Sequence, residues 1–242
     1  MQHFKHPFKN FILTTPVAIL LGSVIIALGL VGYGLVSNNG TATVKTIFAG
    51  PEINESDFIE GNIKSDVIVM EYSDPECPYC IQFHPTMKQI RTDYASKITF
   101  VYRHFPLTTI HPHAFIESKA IVCAGIVGGK DTFYSYIDGL YGYKVPKQDT
   151  NNFSPQLPVT GKEDIASGVG LDKAAFTACM NDVAADNIVN TSQEGGASAG
   201  VEGTPSTFVL LKTRKGYEVI TMIDGARPYN YVKAAIDEAL SR

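Results

Sequence analysis

Hydrophobic and polar positions follow three different rhythms along this chain, and each rhythm predicts a different kind of element. From Val17 to Val36 the sequence VAILLGSVIIALGLVGYGLV runs for 20 residues without a charge, about the length of helix that crosses a bilayer core. Phe11 to Leu13 extend it further. Residues 37–61 are polar and turn-rich and show little periodicity, which predicts a linker with part of it docked. DVIVMEYSD (66–74) and KITFVYRHF (97–105) are short, β-branched runs, too continuous for an amphipathic helix, and predict buried strands. CPYCIQFHPTMKQIRTDYA, between them, predicts a helix with Pro85 placed to kink it. Strand, helix and strand at this spacing predict a right-handed parallel βαβ unit.

The next ninety or so residues change period. HAFIESKAIVCAGIV places Ile116, Ala120, Cys123, Ala124 and Val127 on one helical stripe, closed by Gly128-Gly129. FYSYIDGLYGY continues helically, and residues 142–162, with Pro146, Pro155 and Pro158, predict a loop. LDKAAFTACM predicts a short helix capped by Asp172, with Ala175, Phe176 and Cys179 facing inward. After a Gly-rich turn, TPSTFVLLKT and YEVITMID predict two strands joined by a tight turn at Arg214-Lys215-Gly216, and PYNYVKAAIDEAL predicts a last amphipathic helix. The order βαβ, helical block, ββα is that of an α/β thioredoxin-like fold spanning 62–242, with a helical insertion at about 107–198.

Charge adds an orientation. The chain has 242 residues, 45% apolar and 18% charged, enough for one well-buried domain. Lys5 and Lys9 precede the apolar run, while the fifteen residues after it carry only Lys45. The positive-inside rule therefore predicts a cytoplasmic tail at 1–10, a single-pass anchor at 11–36 and an extracytoplasmic domain beyond it. A cleaved signal peptide is the alternative reading, although its apolar region is usually only about 7–15 residues long. The first 36 residues hold two lysines and no acid, leaving 18 basic and 24 acidic residues, formally −6, in the rest. Such a domain has no electrostatic reason to bind nucleic acid.

The candidate chemistry centres on Cys77-Pro78-Tyr79-Cys80. A Cys-x-x-Cys pair is a redox couple, half of a metal site, or two buried thiols. The remaining cysteines stand singly at 123 and 179 instead of as a second close pair, and Ile81 rules out the c-type haem pattern. A zinc or copper site would have to use His84.

Several separated motifs resemble the DsbA family of extracytoplasmic thiol:disulfide oxidoreductases over roughly residues 62–242. They are the CPYC motif, Glu71 six residues before it, Pro85 five residues after it, Gly203-Thr204-Pro205, and the segments RHFPL, HPHA, AIVCAG and FTACM. The resemblance implies that Cys77 is the exposed nucleophile at a helix N-terminus, with Pro78 at the first helical position and Cys80 its shielded partner. It also implies that Glu71 relays a proton to or from Cys80. Pro78, Tyr79, Thr204 and Pro205 would meet the substrate, with a cis bond before Pro205. No cofactor and no metal are expected in the chain, which would act as a monomer on exported proteins bearing cysteine thiols and be reoxidised by a quinone-linked membrane oxidase.

Some residues pull against a strongly oxidising couple. Asp74 and Glu76 would raise the pKa of a neighbouring thiol even as they favour the helix N-terminus, and Tyr79 replaces the histidine of the best-known DsbA motif. A tethered reductase or isomerase, and outside catalysis a metal-carrying protein, are therefore the alternatives. His104, His111 and His113 are read as structural. Cys123 and Cys179 fall on apolar helix faces where buried free thiols are an open reading, and the exported location favours a structural disulfide between them.

Overall fold

The computed structural model describes residues 46–144, 157–158 and 160–242. The expected tail at 1–10 and anchor at 11–36 lie outside the described residues. Among those described, no helix is long and apolar enough to cross a membrane.

Five strands form one sheet in the order β1-β3-β2-β4-β5: β1 (Ile59–Gly61), β2 (Val67–Ser73), β3 (Thr99–His104), β4 (Ser206–Thr213) and β5 (Gly216–Asp224). The pair β2 and β3 is parallel and every other pair antiparallel. Both central strands are buried along their whole length, which is why they read as continuous apolar runs instead of alternating ones. The strand period nevertheless sorts β2 into two faces. Val67 and Val69 join the larger core with the helices, while Ile68, Met70 and Tyr72 join a smaller core with Phe48, Phe105, Val201 and Phe208.

Helix α1 (Pro78–Asp93) supplies the crossover from β2 to β3, and Pro85 lies inside it, removing the N–H that would reach the Ile81 carbonyl. The insertion contains α2 (Ala114–Gly128), α3 (Lys130–Lys144), α4 (Gly161–Gly168), α5 (Lys173–Met180) and α6 (Val183–Ser198), and α7 (Tyr229–Leu240) closes the fold. This is a thioredoxin-like fold with a helical insertion. Gly129, at φ 81°, ends α2, and Asp172 caps α5 by accepting from the Ala175 amide at 2.8 Å. Ala175 itself faces solvent, contrary to its expected inward position, because the short α5 buries only Phe176 and Cys179.

Three helices depart from the sequence expectation. The expected loop 142–162 is shortened at both ends, by α3 reaching Lys144 and by α4 beginning at Gly161. Helix α6 runs through Gly195-Gly196, expected as part of a Gly-rich turn. Tertiary contact overrides their poor helix propensity: a Cβ at Gly196 would stand 2.7 Å from the Phe105 ring and 2.9 Å from the Tyr72 ring, and one at Gly195 would stand 2.6 Å from Pro51.

Cys123 on α2 and Cys179 on α5, 56 positions apart in sequence, form a disulfide with Cα atoms 5.6 Å apart. It pins two helices of the insertion together inside the larger core.

Residues 46–61, expected within a linker, are a docked strap. Thr46 and Phe48 hydrogen-bond with Val219 and Tyr217 beside β5, each at 2.8 Å. Phe48 packs edge-on against Phe208 at 5.0 Å. The Arg103 guanidinium, almost fully buried, grips Asp57 through both carboxylate oxygens at 3.0 and 2.8 Å and donates to the Pro51 and Glu52 carbonyls. Phe58 stacks on Phe133 at 4.4 Å, and β1 then pairs with β3 at the opposite edge. Part of it was expected to dock, but its anchor lies about fifty residues away, so the polar, aperiodic sequence does not disclose where it docks.

Candidate active site

Strand β2 ends at Ser73, and the turn Asp74-Pro75-Glu76 delivers Cys77 to the N-cap of α1 with φ −66° and ψ 122°. Pro78 occupies the first turn, and the first helical bond runs from the Ile81 amide to the Cys77 carbonyl at 3.0 Å. Asp74, fully buried, holds the turn. One carboxylate oxygen accepts from the Glu76 and Cys77 amides at 2.7 and 3.2 Å, and the other accepts from the Leu107 amide at 2.8 Å and stands 2.8 Å from His111 Nδ1. Glu76 accepts from the His113 amide at 2.6 Å. The two acids expected to oppose the thiolate are thus engaged by donors that fix the turn's shape.

The helical insertion grips the same turn. Lys144 Nζ, with no exposure, donates to the Pro75 carbonyl at 3.0 Å and pairs with Glu117 at 2.6 Å. Burial pushes the Glu117 carboxyl up to about 7 against the pull of Lys144.

Cys77 is only 3% exposed, not the open nucleophile expected from its place at a helix end, because the Thr204–Pro205 loop lies over it. Its Sγ donates to the Thr204 carbonyl at 3.3 Å, across a cis Thr204–Pro205 peptide. The thiol is lowered to about 6, first by the hydrogen bond with Cys80, against the opposing effect of burial, and further by Thr204 and the amides of Cys80 and Tyr79. In the thiol form the buried Thr204 hydroxyl oxygen has no hydrogen-bond partner. Deprotonation turns Sγ into a pure acceptor, which supplies one.

Cys80 moves the opposite way. Fully buried one turn along α1, it is raised well above the ordinary thiol range by burial and by the adjoining Cys77. Beneath it Ser73 interacts with both the Cys80 thiol and the Glu71 carboxyl, so a hydroxyl stands between the two. Burial raises Glu71 to about 7. Tyr141 contacts Ser73 and Tyr102 through hydroxyls at 3.2 Å each, completing a buried polar floor.

The structure therefore brings Cys77, Cys80, Pro78, Thr204 and Pro205 together and places Glu71 below, linked through Ser73. Tyr79 projects outward, 61% exposed. A cleft of about 470 Å³ opens beside Thr204-Pro205, lined also by Glu202, Gly203, Met222 and Asp224. His84 is paired with Asp138 at 3.0 Å and stacked on Tyr141, and among the described residues no cluster of three or more His, Cys, Asp or Glu side chains could hold an ion. His104 is buried between Tyr102 and Phe133, and burial lowers it to about 3. Ser73, Lys144, Tyr141 and the clamping role of Asp74 went unread in the sequence. Only Asp74 carried a local signal, an acid placed to bond amides two and three residues on.

The thioredoxin family model matches residues 54–238. A Na(+)/H(+) antiporter NhaA 1 of Salinispora arenicola is 30% identical over 172 residues, covering 71% of this chain and 24% of the antiporter. The chain thus spans about a quarter of the length of that relative. A putative protein-disulfide oxidoreductase of Rickettsia prowazekii is 28% identical over 198 residues, covering 78% of this chain and 63% of that protein. The crystal structure of Pseudomonas aeruginosa DsbA2 overlays with a TM-score of 0.58 at 25% identity, covering 78% of this chain and 96% of that one.

Proposed function

Because the chain belongs to the thioredoxin family, we propose that Cys77 and Cys80 are the redox couple of a thiol:disulfide oxidoreductase working in the oxidising direction. The observation that carries this reading is the split between the two thiols. Cys77 is lowered to about 6 at a helix N-cap, while Cys80 is buried and raised over a protonatable Glu71. In the oxidised enzyme a substrate thiolate attacks Cys77 Sγ, and the Cys77–Cys80 bond breaks. Cys80 leaves and takes a proton, for which Glu71 through Ser73 is the nearby source. A second substrate thiolate then attacks the substrate sulfur of the mixed disulfide, and Cys77 departs as its stabilised thiolate. The substrate gains one S–S bond and the enzyme becomes a dithiol. Stabilising the departing Cys77 thiolate favours the reduced enzyme and makes the disulfide a stronger oxidant.

The Thr204–Pro205 loop against Cys77 and the adjoining cleft are suited to an extended segment of a cysteine-bearing protein. Exported proteins are the proposed substrates and a quinone-linked membrane oxidase the proposed electron acceptor, with residues 11–36 tethering the domain outside the cytoplasmic membrane. The apolar run and the flanking Lys5 and Lys9 support the tether. Antiporter activity is not carried over from a relative of which so small a share is matched.

The deciding experiment is the reduction potential of the Cys77–Cys80 couple in a dithiol buffer, together with oxidation of a reduced two-cysteine peptide. A value above that of thioredoxin, about −270 mV, with peptide oxidation is expected; a value at or below it would make the protein a reductase. Mass analysis of membrane-extracted protein tests the tether, and a soluble mature chain starting near Thr43 would remove it.

A further inference from the structure

Oxidation of a substrate dithiol releases two protons with its two electrons. On the enzyme, Cys80 takes one proton as a thiol, while Cys77 remains a thiolate. Reduction therefore adds a negative charge to the turn that carries Cys77, and the geometry around Asp74 shows which group can balance it. An ionised carboxylate is acceptor-only, and Asp74 receives three amides, so His111, 2.8 Å away, must present Nδ1–H to it. This fixes the ring tautomer and leaves Nε2 as the atom that gains or loses a proton, on a side chain 13% exposed.

The charge balance of the turn points the same way. Among the described residues Asp74 is paired with no lysine or arginine, and His111 is its one cationic candidate. The other charged groups at this turn are Glu76, bonded to the His113 amide, and the Lys144–Glu117 pair at the Pro75 carbonyl. A neutral His111 leaves the Asp74 anion uncompensated at the Cys77 amide. A thiolate on Cys77 then adds a second negative charge to the same buried turn, so reduction raises the value of a proton on His111.

We propose that His111 takes up a proton when the Cys77–Cys80 disulfide is reduced, and is a positioning residue that acts on Cys77 through Asp74. The inference rests on the redox reading of Cys77 and Cys80, and deepens it by naming the group whose charge balances the Cys77 thiolate. Coupling between two sites is reciprocal, so a proton on His111 and a thiolate on Cys77 stabilise each other equally.

The primary test leaves the sequence untouched. The imidazole of His111 is titrated by nuclear magnetic resonance in the air-oxidised protein and after reduction with dithiothreitol. Its midpoint is expected to lie higher in the reduced protein by about one pH unit; the same midpoint in both states overturns the proposal. His111→Asn supplies the second arm, because the amide keeps a donor for Asp74 but cannot carry the charge. The Cys77 thiolate absorbance of the reduced variant should then titrate about one pH unit higher than in the parent, and an unchanged titration overturns the proposal. Loss of disulfide exchange at Cys77 and Cys80 under all conditions would instead remove the oxidoreductase reading, independently of either titration.

Discussion

Cys77 and Cys80 stand three positions apart at the start of α1, whereas Cys123 and Cys179 are 56 positions apart and joined between α2 and α5. All four belong to the same apolar core and none is more than 9% exposed. Burial alone therefore does not separate a reactive pair from a structural one. What separates them is the polar surroundings. Cys77 meets the free amides of a helix N-terminus, the Thr204 loop and the Cys80 thiol, while Cys80 sits over Ser73 and Glu71. The bonded pair lies on helix faces inside the apolar core.

The sharpest way to break this comparison is to remove one sulfur. Cys77→Ser should lower disulfide exchange at least about a thousand-fold, since the nucleophile itself is gone. Cys80→Ala should trap mixed disulfides through Cys77, visible on non-reducing gels. Residual exchange in the first variant would transfer the chemistry elsewhere.

Selective alkylation comes next. In the reduced protein at neutral pH, iodoacetamide should mark Cys77 about a hundred-fold faster than Cys80, because only the thiolate reacts. The rate at Cys77 should climb as pH rises through about 6 and then level off. Peptide mapping with equal labelling at both cysteines would erase the asymmetry.

The structural pair should show the reverse profile. Replacing Cys123 and Cys179 together by alanine removes a cross-link worth about 4 kcal/mol in the chain-entropy model, or about 8–16 °C of melting temperature for a domain of this size. Exchange at Cys77 should stay within about twofold of the parent. A calorimetric melt paired with a peptide-oxidation assay checks both halves.

The smallest effect belongs to Glu71. Its carboxyl is raised from 4.5 to about 7, so the native state binds a proton that the unfolded chain has already lost between those values. Stability contributed by the protonated form is full below 4.5 and is lost as pH rises through about 7. Glu71→Gln should therefore melt several degrees higher than the parent at pH 8, and together with it at pH 4. At pH 6 the same variant should form mixed disulfides several-fold more slowly, having no proton to pass to Cys80. A variant that melts with the parent at both pH values would place Glu71 in a wetter site than the structure gives it.

The βαβ unit, the two final strands and the last helix were legible because their apolar periods are local. The CPYC motif was legible because a short string carries its chemistry, and Thr204-Pro205 only through the family resemblance. Helix α6 was not, since Gly195 and Gly196 are helical only under Pro51, Phe105 and Tyr72. The shielding of Cys77 was not, because the covering loop comes from 127 positions away. Lys144 fell within the expected loop 142–162, and its burial follows from the Pro75 carbonyl and Glu117 that meet it.

The strap at residues 46–61 has a consequence for how molecules of this protein meet one another. A sheet has two edges, and unpaired edge strands are templates for joining a second sheet. Here one short segment touches both, bridging to β5 at Ile47 and pairing with β3 as β1. Lifting it would uncover β3 along Thr99–Val101 and part of β5 in a single event, together with the apolar side chains that Phe48 covers. The Arg103 grip on Asp57 thus keeps both sheet edges covered as well as steadying the domain that carries the thiols.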